Sequence, residues 1–142
     1  MDSKKIFIFL LFTLFVNIMS AQQRVVYFAS GSGVSSLKDD KLDRIFTGKE
    51  TYWGNDKQII VCLPSTKSDS SVEVCQKIYH KSVKDVQKFW LSIVFQGRAK
   101  SPKFFDTEQE MIDFVKRTPG AIGVLPSDKK SMIPGGLIIS SI

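Results

Sequence analysis

The 142-residue sequence is poor in the residues that build metal sites and disulfide frameworks, with two cysteines and one histidine. These three residues do not complete a four-ligand zinc site without carboxylates, and two cysteines are too few to staple a disulfide-rich miniprotein. A G-x-S-x-G elbow, a G-x-G-x-x-G loop and a Walker loop are also missing. We therefore expect no metal, no cofactor and no catalytic residue, and we expect the protein not to be an enzyme.

Long apolar runs are equally scarce, and the one extended run lies near the N-terminus. Lys4 and Lys5 precede apolar residues 6–19, a run shorter than the roughly 20 residues that a bilayer span needs. Ser20 and Ala21 follow, so the pattern predicts a cleaved secretory signal peptide over residues 1–21. An uncleaved anchor is the alternative, because Met19 stands where a small residue usually precedes the cut. We expect a periplasmic or secreted protein without a membrane span after cleavage.

Positive charge exceeds negative charge only modestly. Loss of residues 1–21 lowers the net charge from +6 to +5, because that segment carries Asp2, Lys4 and Lys5. The basic residues of the second half cluster loosely and without interleaved exposed aromatic residues, which favours a solvated face and no nucleic-acid partner. They are Lys84, Lys88, Arg98, Lys100 and Lys103.

Apolar runs and helical patterns alternate through residues 22–142, which we expect to form a single domain. Strands are predicted at 24–30, 58–63, 102–105, 121–125 and 137–142, with helices between them. Ser36, Ser70, Ser82 and Thr107 are each followed three residues later by an acidic residue, so we expect them to cap helices. The alternation predicts an α/β domain in three layers with a mostly parallel sheet.

The two cysteines leave two states open. Cys62 lies in a predicted buried strand and Cys75 on the following helix. Secretion would permit a disulfide between them. Two buried thiols fit their apolar surroundings better.

Two hydroxyl-rich loops follow predicted strands and lead toward helices. In open α/β sheets, ligands collect at the carboxyl ends of strands, where helix N-termini present N–H groups suited to an oxyanion. We therefore predict a binding site for a small oxyanion, although serine and threonine also fill ordinary loops and caps. The predicted residues are Ser30 and Ser32 in the first loop, and Ser65, Thr66, Lys67, Ser68 and Ser70 in the second.

Three stretches together resemble the phosphate-type substrate-binding proteins of ABC transporters and their short, single-lobed relatives. Residues 42–49 (LDRIFTGK) are followed by Trp53, as in the family pattern Leu-x-x-Ile-Phe-x-Gly-Lys…Trp. Trp90 with residues 95–97 (FQG) resembles Trp-x-x-x-x-Phe-x-Gly. Residues 115–123 (VKRTPGAIG) match Val-x-x-x-Pro-Gly-Ala-Ile-Gly. The three motifs occur in the family's order over residues 25–125. We interpret Trp90 and Phe95 as anchors of the long helix.

The resemblance implies one lobe of a periplasmic-binding-protein-like fold. In full-length members, the oxyanion contacts of this lobe come from Arg-x-x-x-Ser-Gly-Thr at a strand-to-helix junction. Here Ser68, Asp69 and Ser70 stand opposite Ser-Gly-Thr, and Pro64 stands opposite the arginine. The bidentate anion contact is thus missing, and a carboxylate replaces the glycine.

The sequence therefore supports two functions. The first is a non-enzymatic binding protein that takes phosphate or another small oxyanion weakly, or only with a partner such as an ABC transporter. The second is an interaction module that has kept the fold, has lost the ligand, and docks on an envelope protein, a sensor or a transporter.

Overall fold

A computed structural model describes residues 3–5 and 24–141 of the chain. Residues 24–141 contain six strands: β1 (Val25–Ala29), β2 (Ser36–Leu37), β3 (Ile60–Pro64), β4 (Lys103–Phe105), β5 (Ala121–Pro126) and β6 (Ile138–Ser141). The four helices of this region are α1 (Asp39–Phe46), α2 (Ser71–Tyr79), α3 (Val83–Phe95) and α4 (Glu108–Arg117). The apolar run and the cleavage site of the predicted signal peptide lie outside the described residues. In the described part, no helix has the length and apolar character needed to cross a membrane.

The six strands form one mixed sheet in the order β2-β6-β1-β5-β3-β4. Strand β3 pairs parallel with β4 and β5, and β2 pairs parallel with β6. Strand β1 is antiparallel to both of its neighbours, β5 and β6. Five strands therefore run in one direction and β1 runs against them. The predicted α/β fold with a mostly parallel sheet is confirmed, and the reversal of β1 is a feature that the strand pattern did not reveal.

The sheet is covered on both faces, which gives the three predicted layers. Helices α1, α2 and α3 pack on one face around Phe46, Val74 and Trp90, and α4 packs on the other around Met111 and Val115. Successive residues of each strand enter opposite cores because side chains alternate across a pleated sheet. Burial on both faces explains why the strands appear as continuous apolar runs in the sequence.

Two of the four predicted helix caps are confirmed by hydrogen bonds. The Asp85 N–H donates to Ser82 Oγ at 3.2 Å, and the Glu110 N–H donates to Thr107 Oγ1 at 3.2 Å. The prediction for Ser36 is wrong, because this residue lies in β2 and α1 begins after Lys38 without a side-chain cap.

Ser70 occupies the N-terminal position of α2, as predicted, but makes no capping bond with its side chain. The first turn of α2 is instead closed by the backbone bond from the Val74 N–H to the Ser70 carbonyl, at 3.2 Å. The Ser70 hydroxyl is therefore available to another element.

The long-helix motif anchors the fold through one aromatic residue only. Trp90 is buried, and its indole N–H donates to the Tyr79 hydroxyl at 3.0 Å. Phe95 is 83% exposed at the end of α3, so its interpretation as an anchor is wrong. Phe95 lies four residues after Leu91, on the helix face opposite the buried Val86, Trp90 and Ile93, so the helical spacing itself carries its ring away from the core.

The Pro-Gly turn before β5 is fixed by close backbone contacts. Gly120 has a φ of 95°, and a Cβ there would lie 2.4 Å from the Gln58 carbonyl oxygen. The Trp53 indole N–H donates to the Gly120 carbonyl at 2.9 Å. The segment before β3 and the turn before β5 are thus held together at one end of the sheet.

Candidate functional site

The second hydroxyl-rich loop forms a compact turn between β3 and α2. Ser65 begins it: the Ser65 Oγ accepts from the Lys67 N–H at 3.1 Å, and the Ser65 carbonyl accepts from the Ser68 N–H at 3.0 Å. Ser68 is buried, and its Oγ accepts from the Ser70 N–H at 3.2 Å. The Ser71 hydroxyl donates to the Ser68 carbonyl at 2.8 Å. We call residues 65–71 the serine loop.

Two carboxylates accept hydrogen bonds from the serine loop, one in the β4–α4 connection and one at the first residue of α4. Ser65 Oγ donates to Asp106 Oδ1 at 2.5 Å, and Ser70 Oγ donates to Glu108 Oε1 at 2.6 Å. Strands β3 and β4 are parallel neighbours, so their carboxyl ends meet at the same edge of the sheet. The topology therefore brings an acidic connection against a hydroxyl-rich one.

The electrostatics of Glu108 follow from these contacts. The hydrogen bond from Ser70, followed by the backbone bond at Glu108 and by the charge of Lys129, holds the pKa of the Glu108 carboxyl below its usual value. A carboxylate that accepts a hydroxyl donor in this way stays ionised at neutral pH. Glu108 thus adds a fixed negative charge beside the buried Ser70.

This arrangement changes what the serine loop can do chemically. The hydroxyl hydrogens of Ser65 and Ser70 are already donated to Asp106 and Glu108, and an incoming anion would approach two carboxylates. Thr66, Lys67 and Asp69 are exposed on the outer side of the loop. Lys67 is therefore a solvated charge at the rim of the loop.

The first hydroxyl-rich loop lies at the other end of the sheet. Ala29 of β1 and Val61 of β3 both pair with Ile122 of β5, but β1 runs antiparallel to β5 and β3 runs parallel to it. The chain therefore leaves β1 and β3 in opposite directions, which separates Ser30 from Ser65 by about 15 Å along the sheet.

Ser30 and Ser32 are engaged in local structure at their own end. The Ser30 N–H donates to the Ala121 carbonyl at 3.2 Å, and the Gly120 N–H donates to the Ser30 carbonyl at 2.7 Å. Ser32 is buried, and its hydroxyl donates to the Val34 carbonyl at 3.2 Å. The structure brings together the five predicted residues of the second loop and leaves these two apart from them.

Asp106 and Glu108 are site residues that the sequence reasoning missed. A usable signal was present, because the run 103–108 (KFFDTE) places acidic residues directly after a predicted strand. Their place beside the serine loop follows from the parallel pairing of β4 with β3, which the sequence pattern does not show. The described part of the chain contains no cluster of three or more histidine, cysteine, aspartate or glutamate side chains that could hold a metal ion.

A cavity of about 240 Å³ lies away from the serine loop, beside the end of α1. Ile45, Ile59 and Trp90 line its apolar part, and Lys100 and Lys103 contribute to its polar part. The Lys100 ammonium donates to Gln58 Oε1 at 3.1 Å, which fixes that side chain at the cavity. None of the residues predicted to bind an oxyanion lines this cavity.

The fold is similar to part of solved phosphate receptors. An ABC-type phosphate transport receptor from Vibrio cholerae superposes with a TM-score of 0.53 at 14% identity, over 84% of this chain and 46% of the receptor. PstS from Borrelia burgdorferi gives a TM-score of 0.57 at 19% identity, over 84% and 47% of the two chains. A Clostridium perfringens phosphate ABC transporter substrate-binding protein with bound phosphate gives 0.53 at 16% identity, over 84% and 45%.

The class that these findings define is the α/β fold of phosphate-type substrate-binding proteins, in a single lobe. The chain spans less than half the length of each of these three structures. At 14–19% identity the likeness concerns the fold. No protein-family model and no curated protein matches the sequence.

Proposed function

We propose that this protein is a non-enzymatic interaction module of the cell envelope, built on one substrate-binding lobe whose serine loop is closed to small anions by its own carboxylates. The pair of hydrogen bonds from Ser65 to Asp106 and from Ser70 to Glu108 carries this proposal. Pro64 and Asp69 support it, because the resemblance places an arginine and a glycine at these positions. A protein with this fold and a self-occupied loop is suited to docking on a partner.

Titration calorimetry with phosphate and sulfate tests the closure of the serine loop. The purified protein should give no binding heat and no rise in melting temperature at millimolar phosphate. The double variant D106N/E108Q removes both negative charges and should give a measurable phosphate response. A matched variant, E110Q/D128N, makes the same charge change at exposed positions and should remain silent. Millimolar or tighter phosphate binding by the unmodified protein would refute the proposed closure.

Capture of phosphate is the second candidate function, and the position of Ser68 and Ser70 at the N-terminus of α2 favours it. Both residues are buried beside the helix end, in a fold similar to that of phosphate receptors. In that case S68A and S70A should each weaken the phosphate heat, since each removes a hydroxyl. An unchanged heat in both variants would place the bound anion outside the serine loop.

The envelope location rests on the N-terminal segment and has its own test. Cleavage of the predicted signal peptide after Ala21 would leave a mature chain that begins at Gln22. Intact-mass measurement of protein from a periplasmic or secreted fraction should show this N-terminus. Recovery of the complete chain from the soluble cell interior would contradict the proposed location.

A further inference from the structure

Helix α3 carries an exposed stripe that changes from basic to apolar along its length. Lys84, Lys88, Leu91 and Phe95 follow one another at intervals of four, three and four residues, which places them on one face of the helix. Leu91 is 56% exposed and Phe95 is 83% exposed. Val86, Trp90 and Ile93 occupy the opposite, buried side of the same helix. The stripe is therefore additional to the face that α3 uses for the core.

The stripe borders an open groove between α3 and β4. The groove has a volume of about 580 Å³. Leu91, Val94 and Trp90 form its helical wall, and Phe104 contributes from β4. Strand β4 is the last strand of the sheet, so one of its edges pairs with no strand in the described chain. We call the stripe together with this groove the α3–β4 face.

The charge of the α3–β4 face has one sign. Lys84 and Lys88 line the groove, and no aspartate or glutamate is among its lining residues. Within residues 24–141, the salt bridges that the structure contains are Lys41–Glu50 and Arg44–Glu50, and neither of them involves Lys84 or Lys88. The two lysines therefore carry uncompensated positive charge beside exposed apolar side chains.

A solvated helix face explains the lysines but not their apolar neighbours. Phe95 is 83% exposed, and the neighbouring Leu91 is about half exposed. Both leave apolar surface in contact with water, and burial of that surface would be favourable. Adjacent basic and apolar groups around a groove are the complement of a segment that carries carboxylates and a large apolar side chain. The chemistry of the face thus specifies the chemistry of its occupant.

We propose that the α3–β4 face binds an acidic segment of a partner protein, with an apolar side chain of that segment filling the groove and its carboxylates meeting Lys84 and Lys88. This inference rests on the proposed role as an interaction module and names the docking surface. The phosphate titration tests the serine loop, whereas the selection of binding peptides tests the α3–β4 face. Failure of one is therefore distinguishable from failure of the other.

Peptides selected from a random phage-displayed library on the purified protein supply the probe. The enriched peptides should carry net negative charge and at least one leucine, phenylalanine or tryptophan. Backbone amide shifts on titration of a selected peptide should map to Lys88, Leu91 and Phe104. The variant K84E/K88E should bind about tenfold more weakly, and added salt should weaken binding to the unmodified protein.

The matched control K116E/K130E makes the same charge change at exposed positions off the α3–β4 face. It should bind the selected peptides as the unmodified protein does. The inference is overturned if selection yields no peptide, if the peptides are neutral or basic, or if the shifts map elsewhere. Equal binding by K84E/K88E also overturns it. So does self-association through this face in sedimentation velocity, abolished in the variant L91S, because the occupant would then be a second copy of the chain.

Discussion

At the scale of the residue, the proposed closure of the serine loop to anions rests on two side-chain contacts. Ser70 donates its hydroxyl hydrogen to Glu108, and Ser65 donates its own to Asp106. A hydroxyl that has an internal carboxylate acceptor gains nothing by turning to a solvated anion, because it would leave a negative charge without its donor. The same contacts should contribute to stability, which makes them measurable without any ligand.

The first residue-scale prediction concerns the pH dependence of stability. The pKa of Glu108 is lower in the folded chain than in the unfolded one, so its contribution is present above the unfolded value and is lost as the pH falls through the folded value. E108Q should lower the free energy of unfolding by about 0.5–1 kcal/mol near neutral pH, a modest amount because the group is partly exposed. Urea unfolding should show this difference shrinking as the pH falls below the ordinary pKa of a glutamate carboxyl.

The control for this prediction is E110Q, in the same first turn of α4. Glu110 is exposed, and it takes part in the cap of α4 through its backbone N–H. Its substitution should change the unfolding free energy by less than about 0.5 kcal/mol at any pH tested. A pH profile of E108Q that runs parallel to that of the unmodified protein would exclude the Ser70–Glu108 contact as a source of stability.

A second residue-scale prediction concerns close packing at Gly123. A Cβ at this position would lie 2.5 Å from Phe28 Cζ and 3.1 Å from Met111 Sδ, in the core beneath α4. G123A should therefore destabilise the protein by about 1–3 kcal/mol through overpacking, measured by urea unfolding. G136A is the control, because a Cβ there meets no atom within 4 Å. Equal midpoints for the two variants would contradict this packing.

At the scale of the element, the helix caps show that one sequence signature can occur in two different local structures. Ser36, Ser82 and Thr107 have the same local signature, an acidic residue three positions later. Ser82 and Thr107 cap α3 and α4. Ser36 instead pairs with Ser140 of β6, and the neighbouring Asp39 carboxylate accepts from Ser141. Ser36 therefore lies in a strand, although its local pattern predicts a helix cap.

The cap variants form a matched set. S82A and T107A should each lower the unfolding free energy by about 1 kcal/mol, because each leaves an N–H of the first turn without its acceptor. S36A should change it by less than about 0.5 kcal/mol, since the exposed Ser36 side chain caps no helix. Chemical unfolding of the three variants measures the differences. A cost for S36A equal to that for T107A would contradict the assignment of Ser36 to β2.

At the scale of the whole molecule, the sheet separates the two cysteines. Cys62 belongs to the core that α4 covers, and Cys75 belongs to the core on the other face. Both are buried free thiols, so the interpretation as two thiols is confirmed. Burial raises the pKa of Cys62 to about 12 and that of Cys75 to about 11. A thiol that stays protonated and buried reacts slowly with disulfide reagents.

Thiol titration follows from this arrangement. The native protein should release no thionitrobenzoate from Ellman's reagent on the time scale of mixing, and the protein in denaturant should release two equivalents. Intact mass without reductant should equal the fully reduced mass. A mass lower by two hydrogens, with no titratable thiol in denaturant, would mean that the two cysteines form a disulfide across the sheet.

Local patterns in the sequence predict the class of fold and the position of most elements. The apolar runs before Pro64 and after Gly120, the caps at Ser82 and Thr107, and the helical spacing of α3 are local patterns, and local patterns follow from backbone geometry and side-chain periodicity. The predicted loop at residues 65–70 also lies where expected, between β3 and α2.

Contacts between elements that are distant in the chain establish which of these elements meet. The direction of β1 separates Ser30 from the serine loop, and the pairing of β3 with β4 brings Asp106 and Glu108 to it. The same assembly leaves Phe95 in water beside the lysines of α3. Strand direction and strand neighbours are set by packing between residues distant in the chain, and neither composition nor spacing encodes them at any single position.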